Sequence, residues 1–181
     1  MKCTEFLIAE HKLLLKVADV LGAIATAAKR DGQWNEQDAE TILAILRRFG
    51  DDCLQAKEES ALFPVIFRAI SDQADYRVVR HMIFEHDQDR SLLEGMEDAL
   101  QRSNTAEFAE YALSFTNIIR NHIQFEDQIL SEAVDGNVSK QDEAHILAEF
   151  EILDREFERR NKRKLMDELP LLEAKYSRQA A

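Results

Sequence analysis

The sequence predicts an all-α fold, an up-down-up-down antiparallel four-helix bundle with an appended C-terminal helix. Three observations predict it. Only five glycines and two prolines occur in 181 residues, while Leu, Ala, Glu, Arg and Gln are abundant, the composition of long helices joined by brief turns. Apolar residues recur at three- and four-residue steps, and the alternation of β-branched residues that marks strands is absent. Turn residues cut the chain at Asp31-Gly32-Gln33-Trp34-Asn35, Ser103-Asn104-Thr105 and Asp135-Gly136-Asn137. With 45% hydrophobic and 32% charged residues, the length suits one well-buried core. Residues 1–135 read as the bundle and 136–181 as a helical extension packed on the same domain.

Thr4 is expected to cap the first helix, with Glu5 in its first turn and an end near Arg30. Its inward stripe is Leu7, His11, Leu14, Ala18, Leu21, Ala25 and Ala28. His11 therefore stands where a core residue belongs, although a lone histidine there is more often satisfied by a buried hydroxyl or carbonyl. Trp34 reads as a lid over the bundle end. Asn35 caps a second helix from Glu36 to about Ala61, with Ile42, Ile45, Leu46, Phe49, Cys53 and Leu54 inward or flanking, and Pro64 ends or kinks it. Glu58, four residues after Leu54, extends that apolar face; alone it reads as half of a rim ion pair. Lys57 and Glu59 lie about 100° to either side and are expected to be exposed.

Gln73-Ala74-Asp75 leads into a third helix ending near Arg102, with Val79, Met82, His86, Leu93 and Leu100 on one stripe. His81 is about 140° round from His86 and reads as a surface residue. Thr105 and Glu107 start a fourth helix, which ends near Ala133 and carries Phe108, Ala112, Phe115, Ile118, Ile119, His122, Glu126 and Ile129 on its apolar face. Ser139-Lys140-Gln141-Asp142 resembles a capping box for a fifth helix with a stripe of Ile146, Phe150, Leu153 and Phe157. Its charges from Glu151 to Arg160, Asp154 among them, read as a solvated face. His145 has no assigned role, and a short segment follows Leu169-Pro170.

The formal net charge of −12 opposes nucleic acid and anionic membrane surfaces as partners. No apolar run approaches membrane-spanning length, and the start, Met1-Lys2-Cys3-Thr4-Glu5, is unlike a secretory leader. Cys3 and Cys53 have no paired spacing, so a disulfide framework and a zinc knuckle are both unexpected, and a cytoplasmic location fits. Oligomeric state leaves no mark in the sequence.

The polar residues on the inward stripes form the candidate site: His11, Glu58, His86, His122 and Glu126. His122 and Glu126, four apart on a helix, leave the same face one above the other. A buried carboxylate must be neutralised, paired or metal-bound. One or two such residues from every helix of a bundle, at compatible heights, point to a metal.

These pieces resemble the hemerythrin-like family, the HHE cation-binding domain, over roughly residues 4–133. The matching segments are Ala9-Glu10-His11, Lys57-Glu58-Glu59 followed by Leu62-Phe63-Pro64, Glu85-His86-Asp87, and His122 to Glu126 followed by Ile129-Leu130. The resemblance implies a non-heme di-iron centre in which Glu58 and Glu126 bridge, His86 and His122 serve one iron, and His11 serves the other. Leu54 stands where the family has a histidine, so the iron at His11 lacks its second nitrogen unless Asp51, Gln55 or Glu59 substitutes, and its site is weakened. Met82 and Arg90, four residues either side of His86, are not the further histidine of an oxygen carrier, so reversible oxygen transport is not expected. The implied role is an iron protein that senses or reacts with oxygen, nitric oxide or peroxide. The alternatives are an iron-dependent oxidase or peroxidase, an iron-centre repair enzyme, or a metal-depleted helical interaction module. Imidazole and carboxylate would also accept manganese or zinc.

Overall fold

In the computed structural model, which describes residues 2–32, 34–69, 73–130, 134, 138–159 and 162–177, every regular element among the described residues is helical. Helix α1 spans Cys3–Asp31. Helix α2, Glu36–Ile45, runs on through two π-helical stretches, Leu46–Gln55 and Glu58–Leu62, into α3, Phe63–Ala69. Helices α4, Gln73–Gln101, and α5, Thr105–Ile129, follow. The C-terminal part holds α6, Lys140–Arg159, α7, Lys162–Met166, and α8, Leu169–Ser177.

Local chemistry sets the ends. Asn35 and Asn104 each accept a hydrogen bond from the backbone N–H three residues on, satisfying donors that a helix start leaves open. Gly32 closes α1 in the left-handed conformation, φ 65°, and donates its N–H to the Ala28 carbonyl. Thr4 does not cap α1. The helix begins two residues earlier, with Lys2 as its N-cap and its N–H donated to the Glu5 carboxylate at 2.9 Å, and Thr4 is buried within the first turn. Pro64 does not end the second helical run either. It follows a π-helical stretch in which Phe63 N–H bonds to the Glu58 carbonyl five residues back. At such a register shift a residue without an N–H forfeits little, so the helix continues to Ala69.

The expected stripes are largely the core. All seven inward residues of α1 are buried, as are Ile42, Ile45, Leu46, Phe49, Cys53 and Leu54. Leu100, Ile118, Ile129, Leu153 and Phe157 are only partly covered. Contacts between α1 and α5 rise along one helix as they fall along the other: His11 with Asp127, Asp19 with Arg120, Gly22 beside Thr116, and, just past α1, Trp34 edge-on to Phe108 with ring centres 4.4 Å apart. The α4–α5 pair behaves likewise, with His86 against His122 and Gly95 against Tyr111. A Cβ on Gly95 would meet the Tyr111 ring at 2.8 Å, so glycine is what lets these two helices approach. Arg47, Asp51 and Glu59 meet Glu97, Arg90 and His86 in turn along α4.

The C-terminal helices cover the bundle. Phe150 packs on Phe6 and Phe157 on Phe49, at 5.7 and 6.0 Å between ring centres, while Lys175 and Tyr176 reach Asp38. The expected end of the fourth helix near Ala133, the turn Asp135-Gly136-Asn137, Gln33 and Arg160 lie outside the described residues. Among the described residues no helix is long and apolar enough to cross a membrane.

Candidate metal centre

Helices α1, α4 and α5 and the π-helical run bring all five predicted residues to one buried point. His11, Glu58, His86, His122 and Glu126 are each no more than 2% exposed. Their ligating atoms converge. Glu58 Oε1 lies 3.0 Å from His11 Nε2 and its Oε2 lies 3.3 Å from His86 Nε2. Glu126 Oε2 lies 3.3 Å from His122 Nε2 and 3.6 Å from His11 Nε2. Two groups of possible metal ligands result, His86-His122-Glu126 and His11-Glu58-Glu126, with Glu126 common to both.

The outer ring nitrogens are held as well. His11 Nδ1 lies 2.6 Å from Asp127, His86 Nδ1 2.7 Å from Glu59, and His122 Nδ1 2.9 Å from Glu85. Each carboxylate accepts the Nδ1 proton, which turns the Nε2 lone pair inward and raises its basicity, the usual arrangement behind metal-bound histidines. The pattern is regular: the acid beside a ligand on one helix serves the neighbouring helix. Asp127 beside Glu126 serves α1, Glu59 beside Glu58 serves α4, and Glu85 beside His86 serves α5. Glu10 beside His11 completes the ring by accepting from Lys57 at 2.6 Å.

Two features of the donor set call for a cation. His86 Nε2 and His122 Nε2 face each other at 3.1 Å. With both Nδ1 protons given outward these are two lone pairs, which repel unless a proton or cation lies between them. Both carboxylate oxygens of Glu126 are buried without a hydrogen-bond donor among the described residues, an unfavourable state for a carboxylate unless a cation compensates it. The residues fit a cation. Without one, protons take the role: burial pulls His11 and His86 down, but the carboxylates around them outweigh it and raise both to about 10. His122 is raised as well, against burial, by Glu126. Burial pushes Glu58 up, and the hydrogen-bonded His11 and His86 reverse this to about 2.

A family model described as the Hemerythrin HHE cation binding domain matches residues 3–134. The chain belongs to the hemerythrin HHE cation-binding family. Searches of curated proteins and of solved structures returned no significant match. Leu54, where the resemblance implies a histidine, is buried and apolar and can ligate nothing. None of the three residues considered as substitutes for it bonds to His11: Asp51 is bound by Arg47 and Arg90, Glu59 by His86 and Arg90, and Gln55 by Asp89.

Sequence reasoning misplaced two residues here. Lys57, expected on the surface, is fully buried, with Glu10 and Asp154 both 2.6 Å from its ammonium and the Phe6 ring 4.6 Å away. Asp154 accordingly belongs to this cluster and not to a solvated face, while Glu151–Arg155 and Glu156–Arg159 do pair on the surface. The 100° step fails in a π-helical stretch, and α6 covers the side that Lys57 faces. Sequence reasoning also passed over Glu59, Glu85 and Asp127 as histidine partners. The available signal was an acid directly beside three of the ligands, in Glu58-Glu59, Glu85-His86 and Glu126-Asp127. His81 is exposed beside Glu85, and His145 is exposed.

Proposed function

We propose that this chain is an iron-binding hemerythrin-like protein whose centre holds two cations unequally and senses or reacts with a small oxidant or gas, namely peroxide, oxygen or nitric oxide. The ligands are His86, His122, Glu58 and Glu126 around one cation and His11, Glu58 and Glu126 around the other. The observation that carries this reading is the buried Glu126 carboxylate, which accepts no hydrogen bond among the described residues and lies between the two histidine groups. When bound, iron supplies redox chemistry and open coordination positions for a small molecule. The chain supplies the rest. Glu59, Glu85 and Asp127 hold the three imidazoles in the tautomer that presents Nε2. The surrounding apolar layer keeps water from the carboxylates, and Leu54 leaves the His11 side one nitrogen short. The opposed contact order between neighbouring helices supports an up-down-up-down four-helix bundle, residues 1–135, with 136–181 as an extension packed on it.

The test is metal content per chain after anaerobic loading with ferrous iron and desalting, in wild type and in Leu54→His. About one iron in wild type and about two in the variant are expected, because a nitrogen ligand returns to the poorer side. Two irons already in wild type would remove the inequality. No retained iron in either would overturn the proposal in favour of a helical interaction module.

A further inference from the structure

One helical turn from the ligands, on the side away from α3, a second layer crosses the bundle. Leu14 follows His11 by three residues, Gln55 precedes Glu58 by three, Asp89 follows His86 by three and Ile119 precedes His122 by three. With Leu93 and Phe115 these four line a cavity of about 10 Å³, room for about one water-sized sphere. Asp51 and Arg90, bonded to each other at 2.7 Å, also line it, and the rest is apolar except at one place. Gln55 and Asp89, 5% and 3% exposed, face each other from the π-helical run and α4, with Gln55 Nε2 donating to Asp89 Oδ2 at 3.4 Å. Gln55 Oε1 and Asp89 Oδ1 have no hydrogen-bond partner among the described residues. Two buried polar atoms left open beside a cavity of this size carry a free-energy cost that a hydrogen-bonding guest removes.

We propose that Gln55 and Asp89 form a binding site for one small molecule bearing O–H groups, water at rest and hydrogen peroxide as the ligand, selected over dioxygen and nitric oxide. The proposal rests on the iron-binding reading above for its peroxide arm only. Dioxygen and nitric oxide bring no hydrogen to an amide or carboxylate oxygen, whereas water and hydrogen peroxide bring two. They also accept, and burial pushes the Asp89 carboxyl up to about 7, so near neutrality it offers both a protonated and an ionised form. An aliphatic pair would have packed this layer as Leu14 and Ile119 do. The polar pair therefore assigns the ligand class that the metal ligands alone leave open.

Two measurements test it. High-resolution crystal structures of the metal-free wild type and of Gln55→Met should show a solvent molecule within hydrogen-bond distance of Gln55 Oε1 and Asp89 Oδ1 in the wild type only. A dry cavity in the wild type overturns the site. In the second, ferrous-loaded wild type and Gln55→Met are mixed anaerobically with hydrogen peroxide, and separately with dioxygen, and ferrous oxidation is followed by absorbance. Each peroxide takes one electron from each of two ferrous ions and two protons, its O–O bond breaks, and it leaves as two waters. The variant should slow the peroxide reaction about tenfold, the loss of one hydrogen bond of about 1.4 kcal/mol, with its iron content and dioxygen reaction unchanged. Equal slowing of both reactions, or of neither, overturns the peroxide assignment even if solvent fills the cavity. If wild type retains no iron, the proposed function falls and the crystal structures alone decide the site.

Discussion

Glu10, Lys57 and Asp154 form one buried charge cluster; the next residues along the same segments, His11 and Glu58, belong to the other. Both gather acids from several helices, although Asp154 keeps 34% of its side chain exposed, and both need positive charge. The first brings its own, since the Lys57 ammonium lies between two carboxylates against the Phe6 ring. Glu10, Cys53 and Asp154 are close enough to ligate a metal, yet the ammonium already stands among them, and burial pushes the Cys53 thiol up to about 12, far from the thiolate a metal requires. The second cluster has only titratable imidazoles to answer Glu58 and Glu126. A grouping of metal-ligand residue types is therefore not itself a metal site. What separates the two is whether a permanent cation is built in.

The sharpest way to break this comparison is to remove the built-in cation. Lys57→Met should lower stability by about 3–5 kcal/mol, the cost of leaving a buried pair half made, measured by denaturant unfolding. Combining it with Glu10→Gln and Asp154→Asn should recover much of that loss. A harmless Lys57→Met would show that solvent reaches the cluster.

The second cluster should instead respond to pH. In the metal-free protein His11 and His86 titrate near 10, against about 6.5 when unfolded. Their stabilisation is thus complete below about pH 6.5 and lost as the pH rises toward 10, on the order of a few kcal/mol. Glu58 works in the opposite sense at the acid end: its stabilisation is complete above about pH 4.5 and disappears toward 2. Melting curves from pH 6 to 10 should show the alkaline loss without metal and little of it with saturating ferrous iron. Loading should in turn weaken on acidification, because metal and protons compete for Nε2.

A smaller effect sharpens the inequality between the two cation positions. Asp127→Asn should weaken the His11 cation by about 10–100-fold and Glu59→Gln the other by a similar factor, read by competition with a chelator. The smallest expected change is a control remote from both clusters: Asn35→Ala should cost about 1 kcal/mol of stability and leave metal affinity untouched.

How far the sequence reaches follows from the same residues. The stripe from Leu7 to Ala28 and the convergence of His11, Glu58, His86, His122 and Glu126 were legible because regular helices convert spacing into direction. Lys57 was not, because its direction depends on a π-helical stretch and its cover on Asp154, which joins the chain far downstream. The Asp127–His11 contact closes across 116 residues, and only packing reveals which histidine an acid serves. Asp89 is unremarkable as a letter, and Gln55 reads only as a substitute ligand near His11. They gain meaning from facing each other beside a cavity.

The ring of acids explains how the chain tolerates leucine at position 54. Glu10 reaches Lys57, Glu59 reaches His86, Glu85 reaches His122 and Asp127 returns to His11, so each of four helical segments is tied to the next and the last to the first. A slide of any one segment by a single turn would undo two ties at once. Residue 54 carries none of them. On the proposed two-cation reading, leucine in place of a histidine there leaves one position a ligand short while every fastening between the segments stays shut. On that reading, occupancy of the weaker position can fall without loosening the frame.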